Sequence, residues 1–199
     1  MKTKFKLLIP IFLLIVLATH AQKIKIVQGN LTPLKGQKEI NTEFTYDNMK
    51  VGKFDKEDDY IKEKKGKYNE KEAGKGDRWE KSWKNDRQTR FEPRFIELFS
   101  KLSMMNADVK PTAKYTLIFH TIFTEPGFNV GIMRKNALIN GEATIVETAD
   151  HSKVICKLTV DKAPGRTFGG YDFDSGERIQ EAYAVAGKGL GKFILSKTK

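Results

Sequence analysis

The chain is poor in the residue types from which most catalytic and metal centres are built. It holds one cysteine, Cys156, so no intramolecular disulfide can form. Of its three histidines, His20 falls near the N-terminus, which leaves only His120 and His151 further along. A zinc site typically needs three or four ligands, and one cysteine with two widely separated histidines offers no ligand spacing. Gly-x-Ser-x-Gly, His-Glu-x-x-His and Walker sequences are all absent, which removes any basis for naming a reaction from motifs. No cofactor is implied. Long hydrophobic runs are missing as well: the apolar stretch from Leu7 to Ala18 is interrupted by Pro10 and falls short of the ~20 residues of a membrane-spanning helix.

What that stretch does resemble is an export signal. Lys2, Lys4 and Lys6 form a positive leader, the apolar run follows, and Thr19-His20-Ala21 before Gln22 reads as a small-residue cleavage site. Residues 1–21 are therefore read as a cleaved signal peptide and 22–199 as a single domain in the periplasm or outside the cell. No cysteine follows the run to accept a lipid. Loss of three lysines and no acids lowers the formal charge from +11 to +8. A basic surface of this kind favours anionic partners such as phospholipid headgroups, acidic polysaccharide or nucleic acid, and export argues against intracellular nucleic acid.

The pattern of the chain is organised around residues 113–161. Tyr115 to Phe123 carries apolar residues on both faces, as a central strand does; Ala137 to Thr148 resumes extended character; Val154, Cys156, Leu158 and Val160 alternate with polar residues. These segments predict a three-strand meander, with Cys156 pointing inward as a small hydrophobe. Lys23 to Val27 reads as a further strand with Ile24 and Ile26 inward, and Ile40 to Tyr46 as another.

Helical periodicity covers the rest. Residues 53–76 form a charged insertion: Lys53 to Arg87 holds 12 basic and 10 acidic residues, the mark of a solvated helical face, with Asp55 placed as N-cap and Tyr60, Ile61, Lys64 and Tyr68 at helical spacing. Asp77 is read as the cap of a long helix at 77–104, whose stripe of Trp79, Trp83, Phe91, Phe95, Leu98, Phe99 and Leu102 faces the sheet. Pro93 must kink that helix or restart it. The two tryptophans, interleaved with Arg78, Lys81, Lys84 and Arg87, offer a sugar- or lipid-contacting surface as the alternative to core packing. A last helix at 175–196 follows a capping box of Asp174 and Glu177 and presents Ile179, Ala182, Ala186, Gly189 and Phe193. Gly187, Gly189 and Gly191 sit inside that helix without the preceding strand of a dinucleotide site, and so are read as close-packing positions or a frayed end. The fold expected is α+β, a mixed or antiparallel sheet covered mainly on one face by these two helices.

The loop before the last helix is the candidate binding site: Arg166, Phe168, Gly169, Gly170, Tyr171 and Asp172 combine a cation, aromatic rings and a carboxylate. Asp172 and Asp174 could also serve as the acid pair of a glycan hydrolase, although a helix cap explains Asp174 by itself.

With Ala21-Gln22 ending the leader, Gly76-Asp77-Arg78-Trp79 entering a Trp/Phe helix, and Phe168-Gly169-Gly170-Tyr171 before a small-residue helix, the chain resembles exported proteins of Bacteroidota-type bacteria. More remotely, its element order is similar to the small α/β modules of periplasmic envelope proteins, including activators of cell-wall synthases and the N-terminal domain of the Tol-system propeller protein. That resemblance implies docking to an envelope protein and not catalysis. The functional expectation is a non-catalytic binding module contacting an envelope protein or anionic polymer. The alternatives are a secreted glycan hydrolase and a peripheral binder of anionic membranes.

Overall fold

The structure is a computed structural model that describes residues 22–130, 133–165 and 174–199. The expected leader, residues 1–21, lies outside the described residues. Among those described, no helix is long and apolar enough to cross a membrane.

The expected meander is present. Strands β5 (Tyr115–Glu125), β8 (Ala137–Glu147) and β9 (Asp150–Gly165) pair antiparallel in that order. The turn between the last two falls at Thr148 and Ala149, two residues before the expected one, so that β9 already includes Asp150. On the far side of β9, β1 (Lys23–Gly29) completes one edge, also antiparallel. On the other side of β5 lies β2 (Glu39–Thr45), parallel to it, and then the short β4 (Asn106–Asp108), parallel to β2. The two-residue β3 (Lys50–Val51) extends this parallel pairing along β5. The sheet is thus mixed, with β5 central, as its apolar residues on both faces imply.

Burial alternates along β5: Tyr115, Leu117 and Phe119 are buried while Ile118, His120 and Ile122 are half-buried on the opposite face. The buried face is the one the helices cover, with Phe119 against Phe95 and Tyr183. On the opposite face His120 Nδ1 lies 2.8 Å from Thr45 Oγ1, so His120 is a satisfied residue of that face and not of the core. Exposed His151 stands 3.7 Å from Glu43 there. Cys156 points into the core, fully buried, and burial raises its thiol above the usual range. The expectation for β1 holds at Ile24 and fails at Ile26, which is 36% exposed. Its pairing with buried Leu158 gives it the inward face, but β1 is the sheet edge and few helix contacts reach it.

Three helical segments follow β3. Helix α1 (Glu57–Lys71) is the charged insertion. Asp55 does not cap it and instead pairs with Lys50 at 2.7 Å. Helix α2 (Lys75–Asp86) begins at a left-handed Gly74, so that Asp77 lies in the first turn and is not the cap. Its carboxylate accepts from Lys65 at 2.8 Å and from Asn69 at 3.2 Å, tying α2 back to α1. A π-helical turn at Arg87–Phe91 leads directly into α3 (Glu92–Ser103). Pro93 gives the physical reason: it has no amide hydrogen to continue the regular ladder, and the wider turn closes on the Glu92 amide, which donates to the Arg87 carbonyl. Phe91, Phe95 and Phe99 pack inward, with Phe95 centred 5.4 Å from Phe44 and 4.7 Å from Phe119.

Helix α4 (Ser175–Thr198) starts as expected, with Asp174 accepting from the Gly176 amide at 2.8 Å. Its buried stripe is Ile179, Ala182, Tyr183, Ala186, Gly187, Leu190, Gly191 and Ile194, so Gly189 and Phe193 lie at its margin. The glycines serve close packing: a Cβ on Gly187 would stand 2.3 Å from the Phe95 carbonyl oxygen. Only a residue without a side chain lets α4 approach the α3 backbone this closely. Finally, β6 (Phe128–Val130) and β7 (Met133–Lys135) form a separate two-stranded hairpin between β5 and β8.

Candidate functional site

The expected binding-loop residues Arg166, Phe168, Gly169, Gly170, Tyr171 and Asp172 lie outside the described residues. Both anchors of that loop are defined. Gly165 ends β9 against α4, where a Cβ would meet the Arg178 carbonyl oxygen at 1.9 Å. Asp174 pairs with Arg90 of the π-turn at 2.6 Å while capping α4. Burial raises the Asp174 carboxyl, but the hydrogen bonds from Arg90 and the Gly176 amide outweigh it and hold the group below its usual range. With its oxygens engaged in this way, Asp174 is a structural group.

Two clefts flank the insertion. The larger surrounds Tyr46 at the end of β2, with depressions of about 520 and 540 Å³ on its two sides. Its polar groups answer one another. The Arg87 guanidinium lies 4.2 Å from the Tyr46 ring centre and donates to both oxygens of Glu57. Trp83 Nε1 donates to the same Glu57 at 2.6 Å, and the Tyr46 hydroxyl donates to Glu92 at 3.0 Å. Burial, followed by repulsion from Tyr183 and Glu92, keeps the Tyr46 phenol protonated well above its usual range. Burial likewise raises the Glu92 carboxyl, against the stabilising bond from Tyr46. Tyr183 Oη, fully buried, lies 2.6 Å from Thr121 Oγ1. Since each of these charges has its partner, the network is a clasp that fastens the N-terminus of α1 to α2 and the π-turn.

The second cleft is smaller, about 150 Å³, and is built from four elements: Tyr60, Lys64 and Tyr68 of α1, Trp79 of α2, the start of the β6–β7 hairpin, and Ser175 and Arg178 of α4. The i, i+4, i+8 spacing of Tyr60, Lys64 and Tyr68 puts all three on one helix face. Trp79 packs between the tyrosines, 5.8 Å from Tyr60 and 5.7 Å from Tyr68. Arg178 is buried and braces the hairpin, donating to the Pro126 carbonyl at 3.1 Å and to that of Gly127 at 3.3 Å. Phe128 stands at the rim, 43% exposed.

Lys64 is the unusual group. Its ammonium lies 5.9 Å from the Tyr60 ring centre and 5.8 Å from that of Tyr68, within cation–π range of both. Several neighbouring cations of α1 and α2 are paired: Lys65, the other half-buried lysine there, with Asp77 and Glu80, Lys67 with Glu63, Lys84 with Glu80, Arg87 with Glu57. Among the described residues of these two helices, Lys64 is the half-buried lysine without a carboxylate in ion-pair reach. Burial, then repulsion from Lys67 and Arg178, lowers its pKa, and Glu63 only partly offsets this. The cleft therefore presents aromatic faces around an uncompensated positive charge. Among the described residues no group of three or more His, Cys, Asp or Glu is placed to hold a metal ion.

Tyr60, Lys64 and Tyr68 lie at helical spacing in the sequence, but the near-balanced charge around them points to a solvated face. The signal available was the aromatic spacing within an otherwise charged helix; the missing partners, Trp79, Phe128 and Arg178, come from elements that only the tertiary fold brings together.

No protein-family model matches the chain, and no curated protein does. Among solved structures it is similar to the PelC dodecamer from Paraburkholderia phytofirmans, with a TM-score of 0.42 and 11% identity over 89% of this chain and 96% of that one. A substituted form of the same PelC dodecamer in a second crystal form gives a TM-score of 0.41 and 10% identity over 89% of this chain and 98% of the other. Likenesses at this level imply nothing about what the chain binds.

Proposed function

We propose that the protein is a non-catalytic binding module of the cell envelope whose ligand is an anionic polymer, received at the cleft around Lys64. The observation that supports this reading most is half-buried Lys64, set among aromatic rings and lacking the carboxylate partners that the other half-buried lysine of these helices, Lys65, has. Taking a lysine out of water without pairing it is unfavourable, and an arriving anion removes that penalty. The charge of +8 on residues 22–199 draws an anionic polymer in at long range. A hydrolytic role for Asp172 and Asp174 has less support, because Asp174 is already held by Arg90 and the α4 amides.

Retention of residues 22–199 on immobilised polygalacturonate, with neutral dextran as control, tests the proposal. Retention on the acidic polymer that weakens as salt is raised, with none on dextran, is the expected result. Equal passage through both columns would remove the anionic-polymer reading.

The hairpin favours a second reading, peripheral contact with anionic membrane. Phe128, Val130 and Met133 are 43%, 47% and 60% exposed, and Arg134 follows them. An exposed apolar group beside a cation suits a bilayer surface. Sedimentation with phosphatidylglycerol vesicles, compared with phosphatidylcholine vesicles, decides whether this hairpin acts there.

A further inference from the structure

Resting on the reading of the Lys64 cleft as an anion site, we infer that the unit it recognises is an acidic pyranose, a hexuronic acid residue of a glycan chain, with its carboxylate on Lys64 and its ring face on the aromatic rim. Three features of the cleft carry this further than charge alone. The first is size. At about 150 Å³ the cavity is well below the ~300–1,000 Å³ of sites that enclose a whole small-molecule ligand. It admits one ring-sized group, and the remainder of the chain lies outside along the basic surface.

The second is the wall chemistry. Tyr68 and Trp79 are half-buried and Phe128 is 43% exposed, so each keeps part of its ring available from the cleft. The negative face of an aromatic ring attracts the weakly positive C–H groups of a pyranose face. A small inorganic anion needs no such wall. A quaternary ammonium, the other usual occupant of aromatic cages, is disfavoured here by the ammonium of Lys64.

The third is arrangement. Lys64 stands over the rings of Tyr60 and Tyr68, and the same cleft is lined by Trp79. A ligand ring laid on Tyr68 and Trp79 would thus bring an equatorial carboxylate toward the ammonium. Phosphate or a fatty acyl carboxylate would engage Lys64 but leave the aromatic faces unused.

The test is intrinsic fluorescence of residues 22–199 titrated with a galacturonate oligomer, a neutral galactose oligomer and acetate, with Lys64→Gln, Lys64→Arg and Tyr68→Ala variants. Trp79 lines the cleft and reports occupancy. The galacturonate oligomer should bind wild type at least tenfold more tightly than either acetate or the neutral oligomer, since charge and stacking act together. Lys64→Gln should lose about tenfold or more, the worth of one charge-assisted hydrogen bond, and Lys64→Arg should recover part of it. Tyr68→Ala should weaken the oligomer and leave acetate unchanged. Acetate binding as tightly as the oligomer, or unchanged binding by Lys64→Gln, overturns the inference. If polygalacturonate is retained equally by wild type and Lys64→Gln, the uronate subsite and the placement of the polymer at Lys64 are both wrong while the anionic-polymer reading stands; if no anionic polymer binds wild type, that reading falls as well.

Discussion

Substituting alanine for Gly187 tests the packing on which the architecture depends. The added Cβ would stand 2.3 Å from the Phe95 carbonyl oxygen and 3.0 Å from its carbonyl carbon, whereas ordinary contact begins at 3.4 Å. Since the obstacle is main chain and not a movable side-chain end, α4 must withdraw from α3 by about 1 Å. That movement also disturbs the stacking of Phe91 on Tyr183, now 5.1 Å between ring centres, and the packing of Phe95 against Phe119 at 4.7 Å. Overpacking of this kind costs ~1–3 kcal/mol, and occasionally more. Alanine returns up to ~1 kcal/mol through its better helix propensity. Because the obstacle is main chain, the overpacking cost falls at the upper end of its range, about 3 kcal/mol, and the net expectation is a loss of ~2 kcal/mol, which for a chain of this length is a fall in melting temperature of ~4–8 °C. Gly66→Ala is the internal control, because Gly66 lies in α1 with no heavy atom within 4 Å of the added group; it should stabilise by up to ~1 kcal/mol. Circular dichroism melts of the two variants of residues 22–199 should therefore move in opposite directions. A Gly187→Ala protein that melts at or above wild type would show that α3 and α4 are not in main-chain contact here.

The remaining predictions concern charge. Glu57→Ala should lower stability by ~2 kcal/mol in urea unfolding, because it strands the Arg87 guanidinium and Trp83 Nε1 in a partly buried setting. Asp174 contributes stability that is fully present above its ordinary pKa of 3.8 and is lost as pH falls through its lower folded value. Asp174→Asn keeps the cap and should flatten that acid limb, while Asp174→Ala should in addition lose ~1 kcal/mol at neutral pH; thermal melts between pH 2 and pH 7 check both. Glu92 has the opposite sign: its raised pKa favours the folded state as pH falls toward that value, so Glu92→Gln should stabilise most at neutral pH and least in acid, in the same melts.

The features legible in the sequence are those encoded locally. Alternation from Tyr115 to Val160 gave the meander, because each strand there pairs with its neighbour in the chain. Asp174 and Glu177 marked the start of α4, since a capping box is a contact between residues three apart. The interruption near Pro93 followed from a missing amide hydrogen, although only the structure shows it resolved as a π-turn. Long-range features were hidden. The parallel pairing of β2 and β3 with β5 joins segments about 75 residues apart, and nothing in the Ile40 to Thr45 pattern specifies a partner. Asp77 looked like a cap because it precedes an apolar stripe, but the left-handed Gly74 had already started the helix. Strands β6 and β7 have three residues each, too short to show a period. The cleft was illegible for the same reason: Lys64, Trp79, Phe128 and Arg178 are distant in sequence and meet only in the folded chain.

The central claim, that an anionic polymer enters the Lys64 cleft, is tested most directly by nuclear magnetic resonance of labelled residues 22–199 on addition of a galacturonate oligomer. The Trp79 indole, which lines the cleft, and the amides around Tyr46 at the other cleft serve as opposed reporters. The expected result is that the Trp79 indole and the amides of Lys64, Tyr68 and Phe128 shift together and saturate while those of Tyr46, Asn48 and Met49 stay still. Shifts centred instead on Tyr46, Asn48, Met49 and Lys84, or none that saturate, would contradict the claim.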